Sequence, residues 1–298
     1  MNNNHVFPIL TLLFAITILF FLIIVPVSHC QDVDDHQFSN CSIPYPYRCG
    51  SSEFNISYPF WGGDRPQYCG REGFEIKCHH DDHQYHFIEF ENQKYRVLIL
   101  SMNESHPTMT IARDDLWNNY CPGTETQDTV MLEHFLFKYS PNVGNLSFFH
   151  CQEIPPQHPG YFNCSLDGEF ITGFYTVSVP NHPPPILPNL PDTCQLLEIK
   201  VPFLLTALVD LKGTRNLGDV VNKGFEVEFL LDNTPCCDCY LSGGKCGSNS
   251  SNPGKFLCYC HDHEPQMSAC PHPGMFLHIL SKYRRLPLCF KAYIILDI

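Results

Sequence analysis

Charge is what this chain has little of. Asp, Glu, Lys and Arg make up 16 % of its 298 residues, and the balance is acidic, with 18 Lys and Arg against 31 Asp and Glu. A nucleic-acid binder needs a basic footprint; none is visible, so nucleic acid is excluded as a partner. Room for long helices is also short, because each of the 25 prolines removes a backbone donor and clashes with the preceding turn. No glycine-rich phosphate loop, His-Arg-Asp or Asp-Phe-Gly motif occurs, so kinase chemistry is not expected of these residues. The first thirty residues hold no Lys, Arg, Asp or Glu at all.

What stands in that uncharged stretch is an apolar run from Val6 to Val27, broken by Ser28-His29-Cys30. It reads as a secretory signal peptide over residues 1–30, cut near Cys30. Left uncleaved it would anchor the chain, since about 20 apolar residues suffice to span a bilayer. The 17 cysteines agree with export, because disulfides persist outside the cytosol. So do six Asn-X-Ser acceptors, Asn40, Asn55, Asn103, Asn145, Asn163 and Asn249, each expected on a surface loop of a secreted glycoprotein. The expected location is extracellular.

Alternation supplies the fold class. Phe74-Glu-Ile-Lys77 alternates into Cys78, and Phe87–Phe90 with Tyr95–Leu100 reads as a hairpin. Further strands are expected at Met109–Ile111, Val130–Lys138, Leu146–His150, Phe170–Val179, Cys194–Val201 and Phe225–Phe229. One helix is expected within Leu204–Val221, with Gly224 as its C-cap. Residues 180–191 are a proline-rich, extended stretch. The sum is a mainly β, disulfide-rich protein with two small β-rich modules and one short helical segment. Cys41, Cys49, Cys69, Cys78, Cys121, Cys151, Cys164, Cys194, Cys236, Cys239, Cys246, Cys258, Cys260 and Cys270 are the expected disulfide cysteines. Cys237 makes the count between 41 and 270 odd, so it is free, or pairs with Cys289 or with another chain. Connectivity stays open, as even six cysteines allow about 15 pairings.

The candidate binding residues cluster early. Tyr58, Phe60 and Trp61 offer flat apolar rings, although Phe60 reads as core. Arg65 and Arg71, with Arg48, are suited to paired bonds with carboxylates. Glu89 with Glu91 and Asp114 with Asp115 form carboxylate pairs, but a glycosidase needs two carboxyls at a set separation across a bond, and solvated surface acids are the expectation. The histidine-rich run from Cys78 to His86 is expected to be a solvated loop rather than a metal site.

Two patterns then resemble a known family. Cys49-Gly50, Ile56-Ser-Tyr-Pro-Phe-Trp61, Cys69-Gly70, Phe74–Cys78 and Tyr95-Arg-Val97 resemble the galacturonan-binding module of plant wall-associated-kinase-like receptors of the leaf-rust-resistance-locus type. Gly224-Phe225, Cys236-X-X-Cys239, Ser242-Gly-Gly-X-Cys246-Gly247, Phe256-X-Cys258-X-Cys260 and Cys270 resemble the C-terminal cysteine-rich module of the same receptors. Phe229 stands where that family usually has Trp. The resemblance implies a module over 31–150, a second over 151–272 and an atypical tail over 273–298. Members continue into a membrane helix and a kinase; this chain is expected to be truncated before both, for Lys282, Arg284, Arg285 and Pro287 interrupt the apolar tail. The implied partner is pectin-type polysaccharide or oligogalacturonide; the alternative is a receptor ectodomain that binds a peptide or protein and no sugar. Residues 31–121 hold seven Lys or Arg against fourteen Asp or Glu, so a polyanion needs a local basic cleft or a bridging calcium ion. No cofactor is expected.

Overall fold

The computed structural model describes residues 36–271 apart from 43, 82, 91–92, 102–106, 122–135, 155, 158–159, 183–193 and 208–216, with the backbone alone at 195–198. The expected signal peptide, most of the proline stretch, the tail, Asn103 and most of the Val130–Lys138 strand lie outside the described residues.

Among the described residues, fifteen strands form four antiparallel sheets. A short helix, α1 (His36–Asn40), precedes a two-stranded hairpin of β1 (Tyr45–Cys49) and β2 (Ser52–Ile56). The largest sheet has six strands in the order β3 (Lys77–His79), β4 (Tyr85–Phe90), β5 (Gln93–Ser101), β6 (Thr108–Arg113), β12 (Phe225–Phe229) and β7 (Phe137–Tyr139). A four-stranded sheet runs β11 (Cys194–Leu204), β8 (Val143–Cys151), β10 (Glu169–Ser178) and β9 (Tyr161–Leu166). The last sheet joins β13 (Lys245–Asn249), β14 (Asn252–Cys260) and β15 (His263–Gln266).

The period-two pattern of the sequence is visible in the burial. On β12, Phe225, Val227 and Phe229 are buried while Glu226 and Glu228 are half-exposed. Those three join Ile56, Phe60, Phe74, Ile76, Ile88, Tyr95, Val97 and Ile111 in one core. Phe229 packs edge-on against Phe60 and Phe74, with ring centroids 5.3 and 5.9 Å away. The Phe74–Lys77 alternation holds as burial, with Phe74 and Ile76 fully covered, but only Lys77 belongs to a strand. A second core gathers Leu146, Phe148, Val201, Phe203 and Val220 around the four-stranded sheet.

The helical expectation is met in part, with 208–216 outside the described residues. β11 runs on to Leu204 because Val201 and Phe203 alternate into the core. A single 3-10 turn covers Leu205–Ala207, and the helix, α2, is confined to Leu217–Asn222 among the described residues. A further helix, α3 (Thr234–Leu241), was not expected at all; Pro235 stands in its first turn and Asp232 accepts a bond from the Thr234 amide. The described residues thus hold three short helices rather than one.

Seven disulfides join pairs of described residues: Cys41–Cys69, Cys49–Cys78, Cys121–Cys164, Cys151–Cys194, Cys236–Cys246, Cys239–Cys258 and Cys260–Cys270. All fourteen expected cysteines are used. Cys237 is disulfide-bonded as well, which removes the free thiol from its alternatives. Cys41 and Cys49 do not close a loop on each other; each reaches across to the next segment. Cys236 and Cys239 lie three apart on α3, so they share a helix face and reach β13 and β14 together.

Candidate functional site

The early cluster divides between interior and joint. Phe60 is fully buried, as expected, and Tyr58 is 7 % exposed. The Tyr58 ring packs edge-on against Phe256 of β14 and sits among the disulfides of the last sheet. Burial pushes its phenol pKa up, and the Arg71 guanidinium beside it opposes that shift. Arg65 turns inward: it is 1 % exposed, and its guanidinium donates to the carbonyls of Phe60, Ser42 and Cys69 at 3.3, 3.0 and 3.1 Å. The cause is local, because a tight turn pairs the Gly62 and Arg65 backbones and aims the side chain back under the loop. A guanidinium so placed serves the backbone, so the expectation that Arg65 meets a ligand carboxylate is corrected. Trp61 and Arg71 are half-buried neighbours, with the indole Nε1 donating to the Arg71 carbonyl at 3.0 Å. Arg48 is exposed on the β1–β2 hairpin, ion-paired with Glu53. The five residues therefore do not form one surface.

The carboxylate pairs are also resolved into separate partners. Asp114 accepts a bond from Arg96 Nε at 2.6 Å. Asp115 takes a two-pronged contact from Arg113, Nε to Oδ1 at 3.0 Å and Nη2 to Oδ2 at 2.6 Å. Glu89 meets Lys77 at 3.2 Å, and Glu91 lies outside the described residues. In the histidine run, Cys78 is in a disulfide and His79 contacts Asp81 at 2.9 Å. His86 is 1 % exposed, with its ring nitrogens 3.0 Å from Ser52 Oγ and 3.2 Å from the Tyr47 carbonyl. Burial holds its pKa below the ordinary imidazole value. Of the glycan acceptors, Asn55 and Asn163 are exposed, whereas Asn40, Asn145 and Asn249 are half-buried. The Asn40 amide nitrogen donates to Tyr68 Oη at 2.7 Å.

A different surface brings aromatic and cationic groups together, and sequence reasoning missed it. On β4 the residues alternate, so Ile88 enters the core while Tyr85, Phe87 and Glu89 take the other face. Antiparallel register sets His79 opposite Tyr85, Lys77 and Arg96 opposite Phe87, and Lys94 opposite Glu89; directly opposed side chains share a face. The turn after β6 is tied to β5 by the bond from Asp114 N to the Lys94 carbonyl, 3.1 Å. That tie carries Asp114 and Trp117 to Arg96. The Arg96 guanidinium lies 3.5 Å from the Tyr85 ring centre and 4.8 Å from that of Trp117, a geometry in which a cation is attracted by both ring faces. Burial first, and the hydrogen bond to Asp114 second, push the Tyr85 phenol up to about 12. The His79 ring packs at a tilt against Tyr85, centroids 4.8 Å apart, and Lys94 Nζ lies 5.3 Å from the Phe87 ring centre. The alternation on β4 was legible; the register that adds Arg96 and Trp117 was not.

Residues 39–113, which run from the end of α1 through β6, match the family described as wall-associated receptor kinase galacturonan-binding. Residues 172–263 match the wall-associated receptor kinase C-terminal family. The chain is a receptor-like ectodomain of the wall-associated-kinase-like family. The ectodomain is 30 % identical over 267 residues to leaf rust 10 disease-resistance locus receptor-like protein kinase-like 2.1 of Arabidopsis thaliana, a match covering 87 % of this chain and 39 % of the relative. With kinase-like 1.4 of the same series and organism it shares 28 % over 226 residues, 74 % of this chain and 30 % of the relative. The chain thus spans less than half the length of these relatives. No solved structure matches it. Among the described residues no helix is long and apolar enough to cross a membrane. The two matched segments are not separate in space, since β12 of the second is hydrogen-bonded to β6 of the first.

Proposed function

We propose that this ectodomain binds an extracellular pectin-type polysaccharide and performs no chemistry on it. The observation that carries the reading is the match of residues 39–113 to a galacturonan-binding family. Non-catalytic binding is supported by the site geometry: Glu89, Asp114 and Asp115 are each engaged by a Lys or Arg side chain, whereas a glycosidase needs two carboxyls facing each other across the bond to be cut. The acidic balance of the chain, −13 overall, works against a polyanion at long range, so recognition has to be local or helped by a bridging calcium ion.

Isothermal titration of oligogalacturonide into the purified chain, with and without calcium, tests the reading. Saturable heat that falls with added salt is expected. An absence of heat in every arm removes the polysaccharide reading. A second reading, a peptide or protein ligand, has Phe170 in its favour, an aromatic side chain left 79 % exposed beside the β9–β10 turn. Partner capture that survives excess pectin fragments supports that reading instead.

A further inference from the structure

We propose that the outer face of β3–β5, with the Tyr85–Arg96–Trp117 stack at its centre and Lys94 at its rim, is the surface that takes a uronate-bearing oligosaccharide. The inference rests on the polysaccharide reading above and gives it a location.

The argument begins by elimination among the cations. Residues 31–121 contain seven Lys or Arg. Arg65 and Arg113 are buried, Arg48 is paired with Glu53 on the hairpin, and Arg71 is half-buried at the joint with the last sheet. The other three, Lys77, Lys94 and Arg96, stand on this one face. Lys94 is exposed, and no carboxylate pairs with it among the described residues. Its cross-strand neighbour Glu89 is drawn instead to Lys77. An ammonium above an aromatic ring, with no carboxylate on it among the described residues, is a suitable seat for a ligand carboxylate.

Arg96 is prepared in another way. It gives Asp114 a single bond from Nε, in contrast to the two-pronged grip of Arg113 on Asp115. Two rings hold its plane, so little side-chain freedom is left to lose when a carboxylate or hydroxyl arrives. Tyr85 and Trp117 are half-buried rather than covered. Each combines an apolar ring with a polar tip, which matches a sugar ring with its apolar C–H face and hydroxyl edge. The Asp114–Arg96 pair supplies an acceptor beside a donor, the combination that vicinal hydroxyls require.

The chain has two tryptophans, Trp61 and Trp117, which makes the test selective. Oligogalacturonide is titrated while indole fluorescence is read, in wild type, Trp61→Phe and Trp117→Phe, with titration calorimetry in parallel. The emission change is expected to vanish in Trp117→Phe and to survive in Trp61→Phe. Arg96→Ala and the exposed Lys94→Glu are expected to weaken binding about tenfold or more, the scale of one lost charge-assisted bond. Lys94 is exposed, so Lys94→Glu gives a second result that stands even if Arg96→Ala fails to fold. Wild-type binding with a silent Trp117 and unchanged affinity in Lys94→Glu overturns the location and leaves the polysaccharide reading intact. No binding by wild type, with or without calcium, overturns both.

Discussion

Replacing Arg65 by Ala separates a structural cation from a ligand-binding one. In the folded chain the guanidinium donates to three backbone carbonyls, those of Phe60, Ser42 and Cys69. Two of these flank the Cys41–Cys69 disulfide, so the side chain ties together the same two segments that the sulfurs do. Alanine leaves three carbonyls facing a cavity too enclosed to be solvated as bulk water would. At about 1 kcal/mol or more for each unsatisfied group, the loss comes to about 3 kcal/mol. For domains of about 150–250 residues, 1 kcal/mol moves the melting midpoint by about 2–4 °C, so a fall of about 6–12 °C is expected. Lysine restores the charge but not the planar fork, and Arg65→Lys is expected to recover only part of the loss. Differential scanning calorimetry with the disulfides intact reads both variants. Below its melting range the Ala variant is expected to bind oligosaccharide as wild type does. A midpoint within about 2 °C of wild type, or a lost ligand with an unchanged midpoint, refutes the reasoning.

Three further perturbations concern single residues. Burial lowers the His86 pKa from its ordinary 6.5, so the unfolded chain takes up the proton first as pH falls. The stabilisation is complete above 6.5 and is lost progressively below it, until the folded imidazole protonates. Urea midpoints measured from neutral pH downward are expected to fall with a slope that His86→Gln reduces by at most about 1.4 kcal/mol per pH unit; an unreduced slope rules the imidazole out as the source. Gly224 has φ +66° and would place a Cβ 2.1 Å from the Ile111 carbonyl oxygen, whereas Gly243, φ +84°, has nothing within 4 Å. Gly243→Ala is expected to cost about 1–2 kcal/mol of backbone strain, and Gly224→Ala clearly more, because it also forces β12 from β6; equal urea midpoints for the two variants contradict this.

The sequence made the strands legible wherever apolar side chains alternate with polar ones. The β4–β5 hairpin, β6, β10 and β12 all lie where that rhythm placed them. It left the partners of those strands open, because alternation says which face a residue takes and not which strand lies beside it. Disulfide class was readable from composition and compartment, yet the pairings depend on distances that only the fold sets. Tyr58, Phe60 and Trp61 illustrate the limit at the site: three rings within four positions look like one patch, but Tyr58 enters the disulfide-rich last sheet, Phe60 the main core, and Trp61 the joint. Arg65 looked like a surface cation because nothing local marks the turn that folds it inward. Tyr85, Arg96 and Trp117 are far apart in sequence and adjacent only through register and the turn at Asp114.

The place of β12 has a consequence for how the chain is made. The strand sits between β6 and β7, with Phe225 opposite Ile111 and Phe229 opposite Phe137, so the largest sheet stays open at β6 until synthesis has passed residue 229. During that interval β6 offers an unpaired hydrogen-bonding edge, the kind of surface on which strands of different copies associate. Pairings so distant along the chain are slow to form, because loop closure precedes any gain from contact. The nascent chain therefore carries an exposed β template until β12 arrives to cover it. Any fragment that stops at the end of the first matched segment keeps that exposure permanently.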